Sequence, residues 1–408
     1  MHLLSRAFIL VVLALVPGAF LNAQNTGYLP SPSTFPLFRP STDLGEGFYT
    51  NLPLRLSVFT AVGYDDNVFA QHSNQRGSGF TELSLIVGSH IGNQRTRLDA
   101  ELATGLDFYW DRPGRSIDPN ISLTLSFSHQ LSPRAYLTFN DYLSYASEPN
   151  LQLGVGAVNQ VSNYFYTSNT LAFGYQWTPR FSTVTSYTAN VLYYDNSSIG
   201  NAINRLENLI GQQFRFLVLP TVTAVAEYRF GYIDYFSNSG LNSYSNYALG
   251  GADLTLTPRL ALSFRAGAQF IHYEQQQPGQ QQDLIDPFVE STLIYQYQPG
   301  SDLEWYNRYG VEQPDLGQGY RRTYRTGLKI SHRAGERLRL VGAVYYSYNE
   351  YVNPSFTENV LDLNLGVTYQ INRVFALTAG YTFERDFSDI ITRDYYRDRV
   401  YLGAIVAF

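Results

Sequence analysis

Positively charged side chains recur along one segment in the C-terminal quarter of the chain. Arg321, Arg325 and Lys329 are spaced four residues apart, so in an extended strand all three lie on one face. Such a row can attract anions along the wall of a channel. It can also be a structural row that Glu290 and Glu304 neutralise from the two preceding strands. We favour the structural interpretation because wall charges commonly pair across neighbouring strands.

An acidic group of the same kind occurs far away in the sequence. Asp99, Glu101 and Asp107 all have odd numbers within one short segment, so they also share a strand face. A wall that carries both signs is mixed rather than strongly selective. With tyrosines beside these charges, it would suit uncharged solutes such as sugars; the tyrosines in question are Tyr109, Tyr273 and Tyr306.

Catalytic, metal and nucleic-acid functions find little support in the sequence. The chain has no cysteine, which excludes thiolate chemistry and disulfides. The tripeptide His72-Ser73-Asn74 contains residue types used in hydrolysis, but sequence neighbours on a loop rarely converge as a nucleophile and its base. No His and Asp residues have metal-ligand spacing, and a net charge of −6 disfavours nucleic acid. We therefore predict neither an enzyme nor a bound metal or cofactor.

The segments that carry these charges alternate between apolar and polar residues. From Leu98 to Phe108, every second residue except Thr104 is apolar, and these residues lie opposite Asp99, Glu101 and Asp107. A spacing of two is typical of a strand, not of a helix. Similar runs begin at Val222, Leu260, Leu338 and Leu361. In a membrane barrel the charges would face the lumen, and the residues we assign to it are Asp99, Glu101, Asp107, Glu290, Glu304, Arg308, Arg321, Arg325 and Lys329.

Short turn signals divide the chain at regular intervals of roughly 40 residues, the length of two membrane strands with one long and one short connection. The signals begin at Gly92, Ser132, Thr178, Leu219, Thr257, Gln298, Arg333 and Ile371. Longer polar segments lie between them, such as Asp65–Gly79 and Asp195–Asn204. This pattern predicts an all-β, transmembrane, antiparallel up-and-down β-barrel of about 18 strands, within a range of about 16 to 20.

The N-terminal segments differ from the rest. Residues 1–23 combine a basic start, an apolar run and a small residue at Ala23, which predicts a cleaved signal peptide. Residues 24–51 contain four prolines and no periodic pattern, so we predict an extended periplasmic arm. The barrel would occupy residues 52–408.

The last strand carries a further signal. Val400, Leu402, Ala404, Val406 and the terminal Phe408 share one face. This ending resembles the closing strand of bacterial outer-membrane barrels, and the resemblance implies that the barrel-assembly machinery recognises it. The chain is thus expected in the cell outer membrane, in contact with outer-membrane lipid.

A more specific resemblance begins at the end of the first strand. The stretch Tyr64-Asp65-Asp66-Asn67-Val68-Phe69 is similar to the opening motif of the putative beta-barrel porin 2 family. The resemblance implies an outer-membrane porin, and some members resemble components encoded with exopolysaccharide export systems, whose proteins would then be partners. From the residues themselves, the Asp and Asn side chains are expected to cap the strand and tighten the first loop; a divalent-ion site is the alternative.

Three further expectations depend on individual residues. Aromatic residues near strand ends should form girdles at the membrane interfaces; these are Trp110, Trp177, Tyr193, Tyr194, Tyr235, Phe236, Tyr345 and Tyr346. Asp141 falls on an outward face, where lipid exposure is costly, so a bulge could occur there. The loop Ser147–Gln160 could fold inward as a constriction or lie on the rim.

Together these patterns predict a channel that passes hydrophilic solutes or a secreted polysaccharide through a polar lumen. An 18-stranded barrel is wide enough to keep an aqueous interior. The alternative is a non-conducting barrel that serves as a structural or adhesion platform.

Overall fold

The computed structural model describes residues 54–147, 162–275, 281–314 and 319–408. The predicted signal peptide, the proline-rich arm and all but the first residue of the loop Ser147–Gln160 lie outside these ranges. Within them the chain forms eighteen strands. They are β1 (Leu54–Asp65), β2 (Ser78–Gly92), β3 (Thr96–Tyr109), β4 (Ile117–Ser132), β5 (Ala135–Ala146), β6 (Tyr164–Gln176), β7 (Phe181–Tyr194), β8 (Arg205–Leu219), β9 (Val222–Tyr235), β10 (Ser243–Thr257), β11 (Leu260–Tyr273), β12 (Asp283–Gln298), β13 (Ser301–Glu312), β14 (Tyr320–Ala334), β15 (Leu338–Val352), β16 (Phe356–Gln370), β17 (Phe375–Ser388) and β18 (Tyr395–Ala407).

Every strand pairs antiparallel with its neighbours in sequence, and the first strand pairs with the last. The β1–β18 register runs from Ser57↔Ala407 to Asp65↔Arg399. The sheet is therefore closed and has no free edge. Closure gives the backbone N–H and C=O groups of every strand a neighbouring strand to pair with, which lipid hydrocarbon cannot provide. The prediction of an all-β, antiparallel up-and-down barrel of about eighteen strands is confirmed.

All eight predicted turn signals connect consecutive strands at one end of the barrel, which we call the turn end. At Thr178-Pro179-Arg180, for example, the Thr178 hydroxyl accepts hydrogen bonds from the backbone N–H of Phe181, 3.0 Å away, and of Arg180. The opposite end, the loop end, carries the longer connections. These include a short helix, α1 (Ser197–Ile203), and a 3₁₀ turn at Ser239–Leu241. Among the described residues, no helix is long and apolar enough to cross a membrane.

The outer face of the barrel carries a belt of exposed apolar side chains. Leu402 on β18 is 66% exposed and Ile285 on β12 is 69% exposed, and similar residues occur on the strands between them. A soluble protein would have to bury so many apolar groups, whereas a lipid-facing barrel exposes them. The alternation predicted from the sequence therefore places the apolar face outward.

The predicted girdle is correct for only part of the aromatic set. Trp110, Trp177, Tyr193 and Phe236 are exposed on the outside, but three others are buried inside the barrel. Successive side chains on a strand point to opposite faces, so only one member of each adjacent aromatic pair can reach lipid. The inward members are Tyr194, Tyr235 and Tyr345.

The outward position of Asp141 persists in the fold, and the bulge that could have reversed it does not form. The register is continuous there, with Asp141 opposite Leu125 on β4 and Asn169 on β6. The Thr167 hydroxyl donates to the Asp141 carboxylate at 3.3 Å, and the Asn169 amide donates to the same hydroxyl at 2.9 Å. Neighbouring polar groups thus partly replace the hydration that lipid would remove.

The ladder between β12 and β13 stops before it reaches the loop end. Its last pair at that end is Val289↔Tyr309, and Pro287 lies just beyond, with no N–H to donate. The side chain of Gln269 on β11 bridges the gap. Its amide donates to the Val311 carbonyl at 3.3 Å, and its oxygen accepts from the Val311 N–H at 3.1 Å. One glutamine side chain therefore takes the place of a strand neighbour.

Candidate functional site: the inner wall of the barrel

The charged residues predicted for the lumen lie on inward-facing positions of their strands. Asp99, Glu101 and Asp107 occupy the inner face of β3. The other six are inward on β12, β13 and β14, where Glu290 lies opposite Arg308, Arg308 opposite Arg325 and Glu304 opposite Lys329. Because inward and outward positions alternate strictly, the belt outside and the charges inside follow from one pattern.

The carboxylate that pairs with the arginines of the basic row is not Glu290 or Glu304, the two that the sequence predicted. Glu312, at the loop end of β13, pairs with Arg325 and lies 3.4 Å from Arg321 and 4.0 Å from Arg308. Glu290 instead pairs with Arg229 on β9. Glu312 lies directly opposite Arg321, whereas Arg325 is four residues further along β14 and reaches Glu312 because an arginine side chain is long. Arg229 and Glu290 lie three strands apart, on β9 and β12.

The sequence interpretation missed most of the arginines that join this group. A cavity of about 210 Å³ lies against the inner faces of β6 to β14 and is lined by seven arginines and five carboxylates. We call it the arginine pocket; its charged members are Arg205, Glu207, Arg215, Glu227, Arg229, Asp253, Arg265, Glu290, Arg308, Glu312, Arg321 and Arg325. Glu227 and Arg229 lie opposite the apolar run that starts at Val222, so the same alternation would have identified them.

Ion pairs connect the pocket across several strands. Arg265 lies 3.2 Å from Glu227 and 2.9 Å from Asp253. Asp253 also forms an ion pair with Arg215 at 2.6 Å, and Glu227 forms one with Arg229 at 2.6 Å. Sharing carboxylates between guanidinium groups keeps the buried charges paired, which their desolvation requires. The network also fixes the side chains in place.

The other half of the inner wall carries a clear excess of negative charge. On β16 to β18 and β1 to β4, ten carboxylates and four arginines occupy inward positions of the described strands. The carboxylates are Asp65, Glu82, Asp99, Glu101, Asp107, Asp118, Glu358, Asp362, Glu384 and Asp386, and the arginines are Arg55, Arg97, Arg397 and Arg399. In a ring of eighteen strands this half lies across the lumen from the arginine pocket. The lumen therefore contains charges of both signs, and the net-positive pocket and the acidic half occupy different parts of the wall.

The three tyrosines expected to line a polar wall are inward but packed. Tyr109, Tyr273 and Tyr306 are all at most 3% exposed. Tyr109 packs with Val68 and Phe80, and Tyr306 with Tyr345 and Val360. Their rings support the charged groups rather than presenting a surface for a passing solute.

Comparison with known families decides the class of this barrel. The family model described as Putative beta-barrel porin 2 matches residues 54–408, which is the whole barrel. The chain belongs to this family. It is accordingly a porin-type outer-membrane barrel. A search of curated proteins finds no match.

Solved outer-membrane barrels resemble the chain in outline. OpdK from Pseudomonas aeruginosa has 10% identity and a TM-score of 0.44, with 87% of this chain and 99% of that chain covered. OccK11 (OpdR) from the same organism has 11% identity and a TM-score of 0.40, covering 87% and 96%. The siderophore receptor PirA from Acinetobacter baumannii has 6% identity and a TM-score of 0.41, covering 87% and 80%.

The opening motif that this chain shares with the family, Tyr64 to Phe69, joins the first strand of the barrel to the last. The Asp65 carboxylate accepts from the guanidinium of Arg397 and, at 3.0 Å, from the N–H of Asn67. Asp66 accepts from the N–H of Asp398 at 2.7 Å, and the Asn67 amide donates to the Tyr396 carbonyl at 2.8 Å. The motif therefore bonds β1 to β18 at the loop end.

The remaining motif residues complete this joint. Val68 is buried against Phe80, with Phe69 packed beside it, while Tyr64 points outward and is 53% exposed. The Asn67 side chain also accepts from the N–H of Gln71 at 3.0 Å, which tightens the loop. Among the described residues, no group of three acidic or histidine side chains could hold a metal ion.

The predicted assembly face of β18 points away from the lumen. Val400, Leu402, Ala404 and Val406 alternate with inward residues, and the register pairs them with outward positions on β1 and β17. The N–H of Phe408 donates to the Leu56 carbonyl at 2.8 Å, and its side chain is 57% exposed. The terminal ring is thus accessible at the turn end.

Proposed function

We propose that this protein is an outer-membrane porin that passes hydrophilic solutes, or a secreted polysaccharide, through its polar lumen. The observation that carries this proposal is the closed ring of eighteen strands, with an apolar belt outside and the charged groups inside. Barrels of 16 to 18 strands are wide enough for an aqueous channel. Family membership supports the same conclusion.

The division of charge supports passage of polar molecules. The net-positive arginine pocket faces an acidic half of the wall, and this arrangement creates an electric field across the lumen. Such a field orients dipolar and hydrated solutes and lets ions of both signs find a favourable wall. We therefore expect weak ion selectivity and permeability to small sugars.

Liposome swelling tests the proposal. Vesicles that contain the purified full-length protein are diluted into iso-osmotic glucose, and light scattering reports sugar entry. We expect rapid swelling in glucose and slower swelling in a large oligosaccharide. Correctly folded protein that gives no more swelling than empty vesicles would contradict the porin function.

A second candidate, a non-conducting structural or adhesion barrel, is supported by the dense packing of several inward side chains. Arg325 is 5% exposed and Tyr306 is 2% exposed, so part of the cross-section is filled. Under this alternative, vesicles would remain impermeable, and deletion would alter surface adhesion or envelope integrity without changing solute uptake.

Export of a polysaccharide and uptake of small solutes can be separated in cells. A deletion strain is assayed for surface polysaccharide and for uptake of labelled sugars. Loss of polysaccharide would support export and a role for export proteins as partners. Normal polysaccharide with reduced uptake would exclude export and favour a general porin.

A further inference from the structure

Three guanidinium groups in the arginine pocket share one carboxylate. Glu312 pairs with Arg325, while its distances to Arg321 and Arg308 are 3.4 Å and 4.0 Å. The other pocket carboxylates each serve one or two arginines. The formal charge of this subset is therefore +2, and the subset alone accounts for the excess of positive charge in the pocket.

Two of these three arginine side chains are buried, whereas that of Arg308 is 22% exposed. The side chains of Arg321 and Arg325 are each 6% exposed. Among the described residues, no acceptor bonds the Nε–H of Arg308 or the Nε–H of Arg325. Buried donors are nearly always satisfied in folded proteins, so two arginines of the cavity lining that each keep an unpaired donor are short of acceptors.

The residues that line the cavity suit a hydroxylated anion. Arg205 on β8 and Arg321 on β14 both line the cavity, so positive groups lie on both sides of the space. The uncharged lining includes side-chain hydroxyls and amides on β7, β8 and β10, such as Thr188, Asn190, Asn208 and Ser245. Guanidinium groups bind carboxylates through forked hydrogen bonds, and hydroxyls and amides bind sugar hydroxyls.

We propose that the arginine pocket is a binding site for an acidic sugar, with its carboxylate held by Arg308 and Arg325 beside Arg321. This inference rests on the proposed porin function and names the solute class that the channel retains best. The acidic sugar could arrive as a free uronate or as one unit of a polysaccharide. Both present the same carboxylate and ring hydroxyls.

The decisive experiment titrates D-glucuronate into planar bilayers that contain the channel, with D-glucose as the matched neutral sugar. Glucuronate is expected to reduce the ion current in a saturable way, at concentrations at least about tenfold lower than glucose, because a charge-assisted hydrogen bond adds a tenfold or greater factor to affinity. A uronate tetramer distinguishes the two sources: tighter block than by the monomer indicates a polysaccharide, and equal or weaker block indicates a free sugar acid. Equal effects of glucuronate and glucose would overturn the proposal.

Two variants with opposite expected effects separate binding from folding. Arg325→Gln should weaken the block by glucuronate about tenfold or more, because one guanidinium is lost. Glu312→Gln should strengthen it, because the competing carboxylate is neutralised while the three arginines remain. The matched control, Arg399→Gln, removes an arginine that pairs with Asp107 on the acidic half and should leave the block unchanged. A purely structural role for the cluster predicts that both pocket variants weaken binding.

Failure of this inference is distinguishable from failure of the porin function. A channel that conducts but shows no preference for glucuronate keeps the porin function and overturns the pocket. If the barrel does not conduct, calorimetric titration of glucuronate into the detergent-solubilised protein still tests the pocket. Heat that saturates for the wild type and falls for Arg325→Gln supports the site; its absence in the wild type contradicts it.

Discussion

Asp65 and Arg397 form a fully buried ion pair, although 332 residues separate them in the sequence. Asp65 ends β1 and Arg397 lies on β18, so the pair joins the first strand to the last. The side chains of Asp66 and Asn67 add hydrogen bonds to backbone groups of β18 across the same joint. The barrel closes without a covalent link, and these contacts give the closure a specific register at the loop end.

Removing one partner of this pair should destabilise the closed barrel. Asp65→Asn leaves the buried guanidinium of Arg397 without its main counter-charge, at a cost of about 3–5 kcal/mol. The thermal unfolding midpoint, followed by band shift on unheated gels or by circular dichroism, should fall by several degrees. The double variant Asp65→Asn with Arg397→Gln should recover part of the loss, since no unpaired charge remains. Equal midpoints for all variants would show that the pair does not stabilise the closure.

Asp66 should make the stability of the same joint depend on pH. Burial, with the neighbouring Asp398 and Asp65 carboxylates, raises the pKa of Asp66 above its ordinary value despite the hydrogen bond from the Asp398 N–H. A raised pKa favours the folded state when the group is protonated, and this contribution is lost as the pH rises through the folded-state pKa. Asp66→Asn keeps the acceptor without the charge, so it should raise the unfolding midpoint slightly at pH 7 and have no effect at acid pH. A lower midpoint at pH 7 would contradict this assignment.

The Gln269 bridge should control local opening between β12 and β13. Gln269→Leu removes both hydrogen bonds to Val311, so the amide of Val311 should exchange with solvent roughly tenfold faster, as expected for the loss of about 1 to 1.5 kcal/mol of local protection. Hydrogen exchange measured by mass spectrometry on the peptide that contains Val311 gives the rate. Gln212→Leu, at an outward position on β8, is the matched control. An unchanged exchange rate at Val311 would mean that other contacts hold β12 and β13 together at this point.

Phe408 should affect assembly more than stability. Its ring is 57% exposed, so Phe408→Ala removes little packing from the folded barrel. We expect a nearly unchanged unfolding midpoint but a clear decrease in the amount of barrel recovered from outer membranes. Leu402→Ala, which truncates another exposed residue of the same face, controls for loss of apolar surface. Normal yield of the Phe408 variant would exclude a role in recognition by the assembly machinery.

Much of the architecture was predictable because a lipid-facing barrel imposes a strict two-residue period and regular turns. The turn at Thr178-Pro179-Arg180 and the inward position of Asp107 both follow from local sequence. The partner of Arg325 does not, because its long side chain pairs with Glu312, four residues along β13 from the directly opposite Arg308. Tyr194 and Tyr345 were misassigned for a related reason: composition places aromatics at the interface, but the phase of each strand decides which ring faces lipid.

Single-channel recording of the purified full-length protein in planar bilayers measures whether the lumen conducts ions. We expect discrete, long-lived conductance steps in potassium chloride, with weak preference between cation and anion because the lumen carries groups of both signs. Insertion of folded, heat-modifiable barrels that produce no conductance steps would contradict this expectation.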